Sequence, residues 1–240
     1  MTINTCSAVD FIQGIKKLCT HHYIISISGE SGTGKTTLAM FIIGNFLVDK
    51  KPYHDSCVWI QAGERFPFKR LSQLFQEQSE ESQYIQQNIY VIPKKDPISS
   101  YKQQTSIIEK ILTPSTVLPP NLRYIVIDNI SHHLRFQLMQ YTNISNVSSL
   151  LNSFYDTQLM PLLLFCKLKG IVLVLIHELT YSPKDQYNRP FFYKLYHRIK
   201  TIDIELSNNY NTKKKKLRIF FNSSRLNFDY LINEKGINIL

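Results

Sequence analysis

The sequence predicts a single α/β domain built on a mainly parallel central sheet. Three observations support this: short apolar runs alternate with stretches of helical periodicity, the run at 171–177 is continuously aliphatic, and a glycine-rich segment joins the first predicted strand to the first long helix. Strands that alternate with helices pair in parallel through right-handed crossovers. A continuous aliphatic run is typical of a strand covered on both faces. With 240 residues, 43% of them hydrophobic, the chain suffices for one such domain.

The predicted elements alternate along the chain. The predicted strands are YIISIS at 23–28, CVWI at 57–60, IYVI at 89–92, RYIVID at 123–128 and IVLVLIH at 171–177. The predicted helices cover 35–48, a segment that starts near Pro67, 103–112 and 147–169. Pro161 must kink the last helix or divide it in two. TIDIEL at 201–206 and LRIFF at 217–221 flank a polar turn, so we expect a C-terminal antiparallel hairpin.

A glycine-rich loop is the strongest motif. Residues 29–36 read GESGTGKT, which matches G-x-x-x-x-G-K-[ST] between a predicted strand and a predicted helix. Backbone N–H groups of such a loop converge on phosphate oxygens, and the helix adds its positive dipole end. We expect Lys35 to reach the β and γ phosphates and Thr36 to ligate Mg²⁺. The residues expected to bind nucleotide here are Gly29, Glu30, Ser31, Gly32, Thr33, Gly34, Lys35, Thr36 and Thr37.

An acid ends the third predicted core strand. Asp128 follows an aliphatic run, so it is expected at the carboxyl edge of the sheet beside the phosphate loop, where an acid holds Mg²⁺ through water. A helix N-cap is the alternative role for Asp128. Together with Thr36, this acid predicts a site for a magnesium–nucleoside triphosphate complex.

The charge balance is strongly basic. Lysine and arginine exceed aspartate and glutamate by 28 to 18, a formal +10, which favours a polyanionic partner; mere solubility is the alternative. No apolar run reaches the roughly 18 residues needed to span a bilayer, and no signal peptide is evident. The four cysteines lack metal or redox spacing. We therefore expect a soluble intracellular protein without a membrane partner, cytoplasmic in a prokaryote and nuclear in a eukaryote.

In this order the motifs resemble the ATPase core of the RecA/RadA recombinase superfamily, especially short RadB-like proteins and recombinase paralogues. The segments that carry the resemblance are FIQGI at 11–15, GESGTGKTTLA at 29–39, FPFKRL at 66–71, YIVIDNI at 124–130, VLVLIHEL at 172–179, KLRIFFNSSRL at 216–226 and INEKGI at 232–237. The resemblance implies one RecA-type P-loop NTPase domain over 1–240, with ATP and Mg²⁺ as ligands. It also implies homologous recombination and DNA repair as the process, and DNA and a RadA-type recombinase or another paralogue as partners.

Hydrolysis depends on the position of one carboxylate. In the family, the second strand ends in a glutamate that orients the attacking water; here WIQAGE at 59–64 places Gly63 at that position and Glu64 one residue later. Neighbouring side chains on an extended segment point to opposite faces, so Glu64 takes the role only where Gly63 lets the chain turn. A base on the wrong face forfeits roughly 10²- to 10⁴-fold in rate. We expect a weak or DNA-stimulated ATPase with Glu64 and Lys35 as catalytic candidates; Glu64 as a solvated loop acid is the alternative.

The resemblance assigns further residues. Arg70 stands where an arginine stacks on adenine, with a surface arginine as the alternative. His177 and Glu178 replace an Asn-Gln sensor pair; Glu178 would repel phosphate unless protonated or turned away, and a strand-end cap is the rival interpretation. His132 and His133 are expected on a loop or helix surface. The residues expected to bind DNA, preferentially single-stranded, are Arg135, Lys184, Arg189, Lys213, Lys214, Lys215 and Lys216, although a solvated turn is an alternative for the four lysines.

We expect no N-terminal helix-hairpin-helix domain of the kind that full recombinases carry, because the segment before the phosphate loop is short, and this favours an accessory paralogue. Two other functions stay open. One is a KaiC-like signalling ATPase or autokinase of the same fold. The other is a structural subunit in which nucleotide only stabilises the domain.

Overall fold

The computed structural model describes residues 8–20, 23–49, 51–75, 79–182, 187–191, 193, 199–209, 212, 214–233 and 236–240. Within this part of the chain, one nine-stranded sheet has the order β11-β10-β9-β8-β1-β5-β4-β2-β3, and β6 and β7 form a separate hairpin. The strands are β1 Ile24–Gly29, β2 Ser56–Gln61, β3 Ile89–Ile92, β4 Leu122–Asp128, β5 Val172–His177, β6 Leu179–Ser182, β7 Tyr187–Pro190, β8 Ile202–Asn208, β9 Lys215–Phe221, β10 Ser224–Asn233 and β11 Gly236–Ile239.

Helices cover the two faces of the parallel part of the sheet. They are α1 Ala8–Cys19, α2 Lys35–Leu47, α3 Phe68–Leu74, α4 Ser79–Asn88, α5 Tyr101–Leu112, α6 His132–Leu138, α7 Ile144–Phe154 and α8 Met160–Lys169. One core lies between the sheet and helices α1 and α2, and it extends under the C-terminal strands. The second core lies on the opposite face, against α5 to α8. None of the helices in the described ranges is long and apolar enough to cross a bilayer.

The sheet positions the site by its strand order. Strands β3, β2, β4, β5, β1 and β8 pair in parallel, whereas β8 to β11 pair antiparallel. The carboxyl ends of β1, β5 and β4 therefore meet at one edge of the sheet, where Gly29, His177 and Asp128 end the three strands. Edges of this kind, beside a reversal of strand order, are where α/β proteins bind ligands.

The structure confirms the predicted α/β class, the five predicted core strands and the antiparallel pairing of β8 with β9. The predicted hairpin is larger than expected, because β10 and β11 continue the antiparallel pairing. Helix α4, which begins at Ser79, was not predicted; its sequence SEESQYIQQN carries little apolar periodicity.

A π-helical turn precedes Pro161 in the long apolar segment. Helix α7 passes through a π-helical turn, Tyr155–Leu159, before α8 begins one residue ahead of Pro161. The N–H of Met160 bonds to the carbonyl of Tyr155, five residues earlier. Because proline lacks an N–H and its ring clashes with the preceding turn, the wider π turn accommodates it without ending the segment.

Candidate nucleotide-binding site

The phosphate loop connects β1 to α2 through a conformation that requires glycine. Gly32 and Gly34 have φ angles of 73° and 89°, in the left-handed region that side chains with a Cβ disfavour. A Cβ on Gly34 would also lie 2.3 Å from Cδ1 of Ile232, and a Cβ on Gly29 would lie 2.6 Å from the carbonyl oxygen of Leu206. The glycines of the motif therefore serve both the backbone turn and the close packing of the loop against β8 and β10.

Lys35 begins α2 and folds back over the loop. Its Nζ donates to the carbonyl oxygens of Gly29 at 2.9 Å and Glu30 at 3.0 Å. Burial lowers the pKa of Lys35, and the carboxylate of Asp128 opposes that shift. The cation is thus held beside the N-terminus of a helix, where the free N–H groups and the helix dipole favour an anion.

Thr36 and Asp128 meet across the edge of the sheet. The Thr36 hydroxyl donates to Oδ2 of Asp128 at 2.8 Å. Burial raises the pKa of Asp128 to about 6, although the bond from Thr36 and the charge of Lys35 oppose this shift. A hydroxyl and a carboxylate side by side are oxygen donors of the kind that Mg²⁺ prefers, usually completed by water and substrate phosphates. These residues therefore fit the expected magnesium position.

Glu64 lies in the same cleft as these residues. Strand β2 ends at Gln61, and the N–H groups of Ala62 and Gly63 both bond to the carbonyl oxygen of Asp128, at 2.6 and 3.0 Å. The chain has therefore left the extended conformation before Glu64, and strict alternation of faces does not govern its direction. Glu64 is exposed and lines a cleft of about 630 Å³. Other residues that line this cleft are Gly32, Lys35, Thr36, Asp128, His132, Arg135 and Glu178.

His177 and Glu178, the predicted sensor pair, have different surroundings: His177 is buried, and Glu178 is paired with basic residues. His177 is fully buried, and burial lowers its pKa to about 3, so the imidazole is neutral. Glu178 accepts a hydrogen bond from Nη1 of Arg135 at 2.9 Å, and its other oxygen lies 3.7 Å from Nδ1 of His132. These partners, His132 first, lower the pKa of Glu178 to about 2. Glu178 is thus neither protonated nor remote from the cleft; its charge is compensated by neighbouring basic groups.

Comparison with known proteins agrees with this architecture. No family model matches the sequence, and no curated protein matches it significantly. Among solved structures, the crystal structure of the RadB recombinase is similar over 89% of this chain and 89% of its own, with 20% sequence identity and a TM-score of 0.67. The chain has the RadB recombinase fold. The expectation of a RecA/RadA-type recombinase fold is therefore confirmed, and at this identity the likeness concerns the fold alone.

Within the RadB fold, Arg70 lies away from the lining of the cleft. Its Nη2 donates to the carbonyl oxygen of Asn233 at 2.6 Å, which connects α3 to the end of β10. A contact between Arg70 and adenine stays a prediction. His133 differs from expectation, since it is only 8% exposed and therefore not a surface residue. Its position at the second residue of α6 turns it towards the interior, whereas His132 lines the cleft.

Among the described residues, those predicted to bind DNA do not form one patch. Arg135 lies in the cleft beside Glu178, and the Arg189 guanidinium lies over the ring of Tyr193 at 4.1 Å. Lys214 and Lys216 are exposed, but Lys215 is half-buried and its Nζ donates to the carbonyl oxygen of Gly32 at 3.2 Å. Lys184 and Lys213 lie outside the described residues. Lys215 and Lys216 belong to β9, so the lysines are not confined to the tip of the hairpin.

Two residues that were not predicted from the sequence, Tyr230 on β10 and Asn208 on β8, bond to the phosphate loop. The Tyr230 hydroxyl donates to the carbonyl oxygen of Thr33 at 2.8 Å, and Nδ2 of Asn208 donates to Oε2 of Glu30 at 3.0 Å. Both come from the antiparallel strands of the RadB fold, far from the loop in sequence. A tyrosine or an asparagine in a strand carries no local signal of such a role.

Proposed function

We propose that this chain is a RadB-like, ATP-binding recombinase paralogue that assists homologous recombination and DNA repair. The observation that carries the proposal is the convergence of Lys35, Thr36 and Asp128 on one cleft of a RadB-type fold. A phosphate loop and a strand-end acid in this relation are the common machinery for binding ATP with Mg²⁺.

Each residue of the cleft has a proposed role in binding. The backbone of 29–34 and the first turn of α2 bind the phosphate oxygens, and Lys35 turns from the loop carbonyls to the β and γ phosphates. Thr36 and Asp128 are the residues that would hold Mg²⁺. Bound Mg²⁺ would neutralise the charge on the phosphates during transfer. Arg135 and Glu178 line the side of the cleft. The Arg135 guanidinium is proposed to contact the terminal phosphate, and Glu178 orients it through the hydrogen bond between them.

Slow hydrolysis is proposed with Glu64 as the base. Glu64 is on the cleft lining with Lys35 and Asp128, in a segment that turns after β2, which supports this role. Its exposure argues for low efficiency, because a solvated carboxylate is a weak base and is not fixed in one orientation. DNA that orders this edge of the domain would raise the rate.

The proposed partners are single-stranded DNA and a RadA-type recombinase or another paralogue. The formal charge of +10 and the exposed ammonium groups of Lys214 and Lys216 support an anionic partner. Arg135 and Arg189 are proposed to contact DNA as well, and Lys184 and Lys213 retain that role as predictions from sequence. Each lysine that neutralises a phosphate contributes about 0.7 to the magnitude of the log–log salt slope for a single strand.

The test is steady-state ATP hydrolysis with and without single-stranded DNA. We expect low turnover that DNA increases, no turnover for Lys35→Ala, and at least a roughly tenfold loss for Glu64→Gln with nucleotide binding retained. Glu109→Gln, an exposed change on α5, is the matched control and should behave as the native chain. If Glu64→Gln has native turnover, Glu64 is not the base.

DNA binding is tested in parallel by fluorescence anisotropy across a salt series. Lys214→Gln and Lys216→Gln should each reduce the slope, whereas Lys102→Gln, which removes another exposed charge, from α5, should not. Single-stranded DNA that neither binds nor stimulates hydrolysis, together with no capture of a RadA-type recombinase, would overturn the proposed function.

A further inference from the structure

The lysines near the start of β9 face in different directions. Side chains alternate between the two faces along a strand. Leu217 and Ile219 are buried in the core shared with α2, and Lys215 lies on that same face. Lys214 and Lys216, its two neighbours, are exposed. Among the described lysines of this cluster, Lys214 to Lys216, Lys215 therefore lies on the buried face of β9 and the other two are exposed.

Lys215 contacts the phosphate loop directly and through a neighbour. Its Nζ donates to the carbonyl oxygen of Gly32 at 3.2 Å and to Oδ1 of Asn208, the residue opposite it in the β8–β9 register. The amide nitrogen of Asn208 donates in turn to Oε2 of Glu30 at 3.0 Å. The ammonium is thus held at the rim of the loop by an asparagine that the loop itself orients.

We propose that Lys215 is a second phosphate-binding lysine of the nucleotide site, contributed by β9 to the loop that Lys35 also serves. This inference rests on the proposed binding of nucleotide. Both ammonium groups lie on carbonyl oxygens of the same loop, Lys35 on Gly29 and Glu30, and Lys215 on Gly32.

The chemistry favours transfer of this lysine to a phosphate. Carbonyl oxygens are neutral acceptors, whereas a phosphate oxygen forms a shorter and stronger charge-assisted hydrogen bond. The flexible four-carbon stem of lysine permits the change of partner with little movement of β9. Gly32 lines the cleft and Lys215 bonds to its carbonyl oxygen from β9, so the proposal places the outermost charge of a bound anion within reach of the lysine stem. The ligand class is a polyphosphate whose terminal group carries the most charge.

The decisive change is Lys215→Met, which removes the charge and keeps an unbranched stem. We expect affinity for Mg-ATP to fall roughly tenfold or more, and affinity for Mg-ADP to fall less. Tripolyphosphate, which has no base, should follow Mg-ATP. Lys215→Arg should retain most of the affinity for ATP, and Lys102→Met, which removes an exposed charge from α5, should bind all three ligands as the native chain does.

The readouts are binding by titration calorimetry and the melting temperature without ligand. Native affinity for Mg-ATP in Lys215→Met would overturn the proposal. Equal losses of affinity for ATP and ADP, together with a lower melting temperature without ligand, would also overturn it, since that result indicates that Lys215 only stabilises the fold. Equal losses in Lys102→Met and Lys215→Met would also overturn it, because they indicate a general effect of net charge. Lys35→Ala distinguishes nucleotide binding by the site from the role of Lys215. If Lys35→Ala abolishes binding of Mg-ATP while Lys215→Met leaves it unchanged, the site binds nucleotide and only the proposed role of Lys215 is wrong. A native chain that binds none of these ligands overturns both.

Discussion

Replacing Asp128 with asparagine is expected to stabilise the nucleotide-free protein at neutral pH, although it removes the candidate magnesium ligand. Burial raises the pKa of this carboxyl from 3.8 to about 6, so the folded state disfavours its ionised form. Asparagine is neutral at every pH, and its amide oxygen still accepts the hydrogen bond from the Thr36 hydroxyl. The site thus holds a charge that the empty fold would be more stable without.

The magnitude follows from the shift in pKa. A difference of about two units, at about 1.4 kcal/mol per unit, corresponds to an upper bound of about 3 kcal/mol in the free energy of unfolding. Above pH 6 the carboxyl of Asp128 is ionised in both the folded and the unfolded states, and the whole penalty is present. As the pH falls through 6, the folded state takes up the proton first, so the penalty decreases to about half at pH 5 and vanishes below 3.8.

The assay is thermal unfolding of native protein and Asp128→Asn at pH 7.5 and pH 5. The variant should melt roughly 6 °C higher at pH 7.5, and the difference should shrink at pH 5. Mg-ATP should raise the melting temperature of the native protein more than that of the variant. Asp96→Asn is the control, because Asp96 is exposed and its pair with Arg65 should contribute little. A variant that melts at or below the native temperature at pH 7.5, or a difference independent of pH, would refute the reasoning.

Two further predictions concern the walls of the site. Tyr230→Phe removes a buried hydrogen bond to Thr33 and should lower the free energy of unfolding, measured in urea titrations, by about 1 kcal/mol. Tyr90→Phe is the control, because Tyr90 on β3 is partly exposed and the change should have little effect. Equal effects of the two changes would contradict the supporting role of Tyr230. Glu178→Gln should destabilise the protein at pH 7, because the low pKa of about 2 means that the ionised carboxylate contributes stability above its usual value of 4.5. That contribution is lost as the pH falls towards 2, so the gap between variant and native should narrow at pH 3; a constant gap would count against the pair with Arg135.

Much of the fold could be predicted because its signals are local. The strand, glycine loop and helix at 24–47 depend on short-range periodicity and on backbone angles that glycine permits. The position of Asp128 at the end of an aliphatic strand is equally local. In contrast, alternation along β2 did not determine the direction of Glu64. The strand ends at Gln61, where bonds to the Asp128 carbonyl turn the chain, and such bonds exist only after β2 and β4 have paired.

By itself, the sequence determined the α/β class, the phosphate loop and the acid that faces it, because each follows from neighbouring residues. The tertiary structure decided which lysine of a uniform run contacts that loop, and which tyrosine and asparagine support it. Lys215, Tyr230 and Asn208 reach the loop only because β8, β9 and β10 extend the sheet beside β1. The physical reason is that the register of paired strands, rather than the identity of a residue, fixes the face and the partner of each side chain.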